Sequence, residues 1–313
     1  MLENREIAIE VKKLVKTFKN QKVVDALDLT IYKGDIFALL GPNGAGKTTI
    51  VRMLATLLKQ DSGTIQVMGY DNITEATEIR KIMGLTGQYA SIDEELTAYE
   101  NLMIFCRLNG LKRKEAKVRT TELLTEFSLM ESANKKMSKF SGGMRRRLDL
   151  AVSLIARPDV IFLDEPTTGL DPRTRNQMWE TIRKLVENGS TILLTTQYLE
   201  EADQLADQIA VIDKGKLVAF GTADELKALI GGNDLYLKLV HEKDLEIAND
   251  ILFEILNVRG MIDVPNNEIK VQINQTENLN LILMKLEENR IKINEIAVKK
   301  PSLDEVFLKV TET

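Results

Sequence analysis

The sequence predicts an α/β protein: a main domain of strands buried on both faces, then a small α+β domain. Three observations predict it. Apolar runs at 36–40, 160–163 and 191–196 each stop abruptly at glycine or polar side chains, as doubly buried strands do. Helical segments lie between those runs. After Gly231-Gly232-Asn233 the pattern changes to β-α-β-β-α-β.

Composition narrows the function classes. A chain of 313 residues can bury one main core and a second small one. Hydrophobic content of 44% and charged content of 28% are ordinary for a globular protein. A net charge of −5 argues against non-specific wrapping of nucleic acid, and no nucleic-acid partner is expected. Cys106 is the only cysteine and His241 the only histidine, so a disulfide framework and a thiolate metal site are excluded and a reducing, intracellular setting is the simplest reading. No uncharged apolar run approaches the roughly 20 residues that span a bilayer, and the acidic start Met1-Leu2-Glu3-Asn4 does not read as a signal peptide. Any membrane role is therefore expected to run through a partner.

In chain order, residues 7–14 and 26–31 read as strands, and Lys33-Gly34-Asp35 turns into the buried strand 36–40. Phe18, between the first two strands, reads either as core or as an exposed ring that stacks on a purine. The segment Gly41-Pro42-Asn43-Gly44-Ala45-Gly46-Lys47-Thr48-Thr49 follows and feeds a helix. Its glycines let bare backbone approach a polyphosphate, and the helix N-terminus favours an anion. Lys47 is expected to reach the terminal phosphates and the Thr48 hydroxyl to sit on Mg²⁺.

Residues 64–68 read as a strand, 75–81 as a helix and 82–86 as a strand leading to Gln88. Gln88 reads as a polar turn residue or as a Mg²⁺ or water ligand. From about 90 to 155 the chain reads as a helical insertion, with a capping box at Thr97-Ala98-Tyr99-Glu100. Within it, Ser141 can cap a helix whose first residues, Gly142 and Gly143, bare the backbone before Met144. Arg145, Arg146 and Arg147 fan about 100° apart on a helix and read as solvated or ion-paired.

The run 160–163 ends in Asp164-Glu165. Adjacent carboxylates at the end of a buried strand are costly unless they bind a cation or do chemistry. Asp164 is expected to complete the Mg²⁺ site through water and Glu165 to polarise the water that attacks a γ-phosphate. Asp171 as N-cap, Pro172 at the first helical position and Gly189 beyond the end account for a helix over 172–187. The strand 191–196 ends at Gln197, a third polar side chain where the phosphate-binding strands end.

In this order and spacing, the segment from Gly41 to Thr48, Gln88, Ser141-Gly142-Gly143-Met144, Asp164-Glu165 and Asp171 resemble the ATP-binding subunits of ABC transporters over about residues 5–225. Met144-Arg145-Arg146-Arg147-Leu148-Asp149-Leu150-Ala151 and Pro301-Ser302-Leu303-Asp304-Glu305-Val306-Phe307-Leu308 look more narrowly like the daunorubicin-resistance type of exporter ATPase. The resemblance implies a P-loop NTPase fold of ABC type with a helical insertion, ATP and Mg²⁺ as ligands, and Phe18 stacked on adenine. It implies that Ser141-Gly142-Gly143 of one copy caps ATP held by another, with Asp171 in the dimer-interface loop. Separately encoded permease subunits would then hold a homodimer on the inner membrane face. Gln197 stands where most of the superfamily has histidine; glutamine cannot become cationic, so slow basal turnover is expected.

The main domain is expected to span 1–231 and the second domain 232–313. In the latter, strands at 234–240, 259–264, 268–274 and 292–299 with helices at 244–256 and 277–289 follow the ferredoxin-like split pattern, and an amphipathic helix closes the chain. Two readings compete with an exporter ATPase: a soluble ABC ATPase on a nucleic-acid or ribosomal partner, and a weakly hydrolysing ATP-dependent interaction module. The first lacks the fused second copy or coiled-coil insertions such proteins usually carry, and the second is favoured only by Gln197.

Overall fold

A computed structural model describes residues 5–86, 92–229, 231–273 and 278–311. Two compact units divide at Thr222/Ala223. The first begins with a long hairpin, β1 (Ile7–Phe18) and β2 (Gln21–Tyr32), closed by Lys19 and Asn20, both at positive φ (46° and 68°). Positive φ at both central residues matches the right-handed twist of the strands. The hairpin continues well past the strands expected from sequence. Lys13 and Ala26 also take positive φ, and the register shifts between Val11 and Leu14, so irregularities break the alternation that marks a strand.

There follow β3 (Ile36–Leu40), α1 (Lys47–Leu54), β4 (Ser62–Val67), β5 (Tyr70–Asp71), α2 (Ala76–Ile82) and β6 (Met83–Thr86). The helical insertion supplies α3 (Ala98–Leu108), α4 (Arg113–Glu126) and α5 (Gly142–Ser153). The capping box forms: Thr97 accepts from the Glu100 N–H while Glu100 accepts from the Thr97 N–H. Next come β7 (Val160–Asp164), α6 (Pro172–Glu187), β8 (Thr191–Thr196), α7 (Leu199–Leu205), β9 (Gln208–Asp213) and β10 (Lys216–Gly221).

These strands build two sheets, one antiparallel in the order β2-β1-β4-β5 and one in the order β10-β9-β3-β8-β7-β6. The second is parallel from β9 to β6, and every residue of β3, β7 and β8 is buried, which explains why those three read as uninterrupted apolar runs. A core of Ile9, Leu14, Leu27, Phe37, Ile50, Met53, Ile65 and Phe162 joins the sheets around α1. The loops after β3, β7 and β8 therefore emerge together at the carboxyl ends of the parallel strands, the usual place for ligands in an open α/β sheet.

The second unit contains α8 (Ala223–Ala228), β11 (Asn233–Leu239), α9 (Leu245–Leu256), β12 (Met261–Asp263), β13 (Glu268–Ile273), α10 (Asn278–Glu288), β14 (Ile293–Lys299) and α11 (Leu303–Thr311). Its antiparallel sheet runs β12-β13-β11-β14, the ferredoxin-like order, over a core of Leu235, Leu237, Ile269, Val271, Leu252 and Ile282. The boundary at 222/223 precedes the expected one at 231/232 because α8 packs with α11, and Lys300 bonds Asp224 at 3.0 Å.

Candidate functional site

The loop between β3 and α1 is shaped by backbone contact. A Cβ on Gly41 would lie 2.2 Å from the Ile212 carbonyl oxygen, and one on Gly46 would lie 2.5 Å from that of Val23. Both glycines are thus required by packing inside the chain. Gly44 differs: it sits at φ +83° with nothing within 4 Å of a built Cβ, so it borders open space on the loop. Lys47 is buried, and its Nζ donates to the carbonyls of Gly41 (2.6 Å) and Pro42 (3.0 Å). Burial pulls the ammonium pKa down, and the nearby charges of Glu165 and Asp164 oppose that pull.

Across the sheet edge, Asp164 ends β7 with its carboxylate buried. Its Oδ1 accepts from Thr195 Oγ1 at 2.5 Å and from Thr48 Oγ1 at 3.3 Å. The hydroxyl and carboxylate predicted to share a cation thus meet in space although 116 residues separate them. Among the described residues no cluster of three or more His, Cys, Asp or Glu could hold a metal alone. A pair of protein oxygens beside the glycine-rich loop fits Mg²⁺, which commonly takes one or two protein ligands and otherwise keeps water and phosphate.

Glu165 follows at φ +48°, a left-handed conformation that a side chain with a Cβ rarely adopts. Both peptide groups flanking it are pinned. Its N–H donates to the Thr195 carbonyl and hydroxyl, each at 3.1 Å, and its carbonyl accepts from Arg146 Nη2 at 2.9 Å. Thr168 Oγ1 donates to the carboxylate at 3.1 Å. Such strain persists only where the surroundings over-determine it, as at many active sites.

Ser141 caps α5, accepting from the Met144 N–H at 3.3 Å. The glycines after it divide in role. A Cβ on Gly143 would lie 2.3 Å from Thr174 Cγ2 of α6, whereas Gly142 faces open space. Asp171 caps α6 through the Thr174 N–H and hydroxyl. Phe18 is 44% exposed at the tip of the first hairpin, with Lys16 Nζ 5.4 Å from its ring centre. Gln197 is half-buried just beyond β8, whose last carbonyl, on Thr196, accepts from the Gly41 N–H. Among the described residues, no hydrogen bond ties Ser141, Phe18 or Gln197 to residues 41–49. Gln88 lies outside the described residues.

The arginines of α5 correct a sequence expectation. Arg145 does pair with Glu94 (2.7 Å), but Arg146 turns inward onto the carbonyls of Asp164, Glu165 and Pro166, and Arg147 donates to the Phe127 carbonyl. Thr195 and Thr168 were not singled out either. A hydroxyl at the end of an apolar run, two residues before Gln197, was the available signal for Thr195.

A family model for ABC transporter matches residues 24–168, and one for the DrrA1-3-like ATP-binding protein C-terminal domain matches residues 221–311. Daunorubicin resistance ATP-binding protein DrrA3 of Streptomyces coeruleorubidus is 46% identical over 98% of this chain and 96% of its own length. The chain belongs to the ABC transporter ATP-binding subunits. Linearmycin resistance ATP-binding protein LnrL of Bacillus subtilis, 34% identical over 97% of the chain and 98% of its own length, is a further relative of this ABC family. Among solved structures, an ATP-binding subunit of an ABC transporter superposes with a TM-score of 0.64 at 28% identity, covering 71% of this chain and 93% of the other. A dimeric ATP-binding cassette in a post-hydrolysis state with ADP and Pi superposes with a TM-score of 0.63 at 25% identity, covering 68% and 98%. As an ABC ATPase the chain binds and hydrolyses ATP. Among the described residues no helix is long and apolar enough to cross a membrane.

Proposed function

We propose that two copies of this chain close on two ATP molecules and that hydrolysis drives a separately encoded export permease at the inner face of the membrane. The observation that carries this reading is the convergence of Lys47, Thr48, Asp164 and Glu165 at the carboxyl ends of the parallel strands, with Thr48 bonded to Asp164 and Thr195 joining Asp164 to Glu165. Residues 41–49 supply the phosphate cradle: Gly41, Gly44 and Gly46 by backbone shape, Pro42, Asn43 and Ala45 as its rim, and Thr49 as part of the helix N-terminus. Lys47 exchanges its two loop carbonyls for phosphate oxygens. Phe18 offers its exposed ring to adenine.

Thr48 and Asp164 hold Mg²⁺, with Gln88 as a further ligand in this reading. When bound, Mg²⁺ neutralises charge on the phosphates. Glu165 accepts a hydrogen bond from the attacking water and polarises it as a general base, help typically worth ~10²–10⁴ in rate, or roughly 3–5 kcal/mol of barrier. Gln197 contacts the γ-phosphate as a neutral donor. From the partner copy, Ser141, Gly142, Gly143 and Met144 complete the site, and Asp171 lies in the dimer-interface loop. Gly142, with nothing beside it in its own chain, supports this assignment.

Relatives named for daunorubicin, doxorubicin and linearmycin resistance and for Nod factor export support export of a substrate of the drug/antibiotic, lipid or polysaccharide class. Affinity purification from native membranes tests the reading. Recovery of a multi-span permease, with ATPase activity lost in Lys47→Ala, is the expected result; recovery only with ribosomes or nucleic acid would overturn it.

A further inference from the structure

Arg146 sits between two parts of the site that the proposed function assigns to different nucleotides. It lies five residues into the segment opened by Ser141, so it belongs to the helix offered to a second copy's ATP. Its guanidinium instead clasps three consecutive carbonyls of the chain's own carboxylate turn: Nη2 donates to Asp164 (2.7 Å) and Glu165 (2.9 Å), and Nε donates to Pro166 (3.1 Å). Those carbonyls lie at and just beyond the end of β7, and the guanidinium supplies donors to all three. One of the three, Glu165, takes the left-handed conformation at φ +48°. A planar fork can satisfy this row; a lysine, a point charge on a flexible stem, cannot.

We infer that Arg146 is a positioning residue that fixes the Asp164–Glu165 turn to α5, so that engagement of α5 by a partner's nucleotide sets the carboxylates of the chain's own site. The inference rests on the composite-site reading above and adds a path between the two sites of a dimer. It acts on the turnover step and not on ATP affinity, because the carbonyls it holds belong to the catalytic turn and not to residues 41–49.

The test uses full-length protein and ATP hydrolysis as its readout. In homodimers, Arg146→Ala is expected to lower kcat roughly 10- to 100-fold, the range a misplaced catalytic group costs. The KM for ATP should stay within about twofold. Arg146→Lys, which keeps charge and stem, is the second variant should Arg146→Ala fail to fold, and it is expected to lose kcat in the same way. Unchanged kcat in Arg146→Lys, or a raised KM at unchanged kcat, would overturn the inference.

Dimers of two differently tagged copies assign the direction. A copy carrying Arg146→Lys paired with a copy carrying Glu165→Gln hydrolyses only at the first copy's cradle and should show the loss. With both substitutions on one copy and a wild-type partner, activity should match the Glu165→Gln/wild-type dimer. The reverse pattern, or equal loss in both, would overturn it. Failure of Glu165→Gln to dimerise with ATP would instead sink the composite site, and that result is read separately from the kcat of the Arg146 variants.

Discussion

At the scale of single residues, the chemistry of this site depends on groups that are costly to bury. Lys47 sits under its loop on two carbonyls, where no other cation fits as well: an arginine would bring a larger, planar head to a place built for a point charge. Thr195 is the quieter participant, donating to Asp164 and accepting from the Glu165 N–H. Thr195→Val keeps the strand shape and removes the hydroxyl. We expect kcat to fall about 10-fold or more and the Mg²⁺ concentration for half-maximal activity to rise, by the general cost of losing a group that orients a metal ligand. Titration of ATPase activity with Mg²⁺ checks this, and an unchanged Mg²⁺ dependence would speak against the assignment.

Gln197 gives a second residue-scale prediction. Gln197→His should raise turnover and add a pH dependence near the imidazole's ordinary ~6.5, with activity gained toward the acid side where the ring is cationic. A pH–rate profile parallel to that of wild type would show that the position does not face the γ-phosphate.

Asp149 contributes a pH-dependent part of stability. Burial pushes its carboxyl up from 3.8 to about 6, against the pull of Arg146 and Arg145. A raised carboxylate pKa means that the folded state holds the proton more tightly than the unfolded chain. Stability from this group is therefore greatest below about pH 4, falls as pH rises to about 6, and stays reduced above that, by roughly 3 kcal/mol. Asp149→Asn should match wild type in acid and gain thermal stability relative to it as pH rises from 4 to 7. An advantage independent of pH would contradict the argument.

At the scale of elements, α5 and α6 show why two adjacent glycines are not equivalent. Gly143 lies against Thr174, so Gly143→Ala must push the helices apart. Gly142→Ala meets nothing in its own chain, so its thermal midpoint should stay at the wild-type value while ATPase activity falls, because the methyl group would protrude toward the partner's nucleotide. Thermal melts and steady-state assays on the pair check this; full activity in Gly142→Ala would argue that nothing docks there. The sequence already marked these helices well, because caps at Thr97, Ser141 and Asp171 are local chemistry. It marked the first hairpin poorly, because Lys13 and Ala26 interrupt the alternation with positive φ, which no local pattern announces.

Legibility within the site divides along the same line. Asp164 and Glu165 were readable because they end a buried apolar run, and Lys47 and Thr48 because they open a helix after a glycine-rich loop. Arg146 was not, because the 100° fan correctly says that three arginines cannot share a face but says nothing about which one β7 will cover. Its role follows from tertiary packing, as does that of Thr195, supplied by the strand next to β7.

At the scale of the whole molecule, each chain holds a complete cradle with its carboxylates and, separately, a capped helix N-terminus with open space beside Gly142. In the proposed reading, that arrangement supplies the two halves of an ATP site once per chain. The central claim is that the halves come from different copies, and the most direct measurement is the mass of Glu165→Gln in solution with and without ATP and Mg²⁺. The account predicts a monomer that becomes a stable dimer only with nucleotide, and that reverts to monomer when Gly142→Arg is added. A Glu165→Gln protein that binds ATP yet stays monomeric at saturation would contradict it.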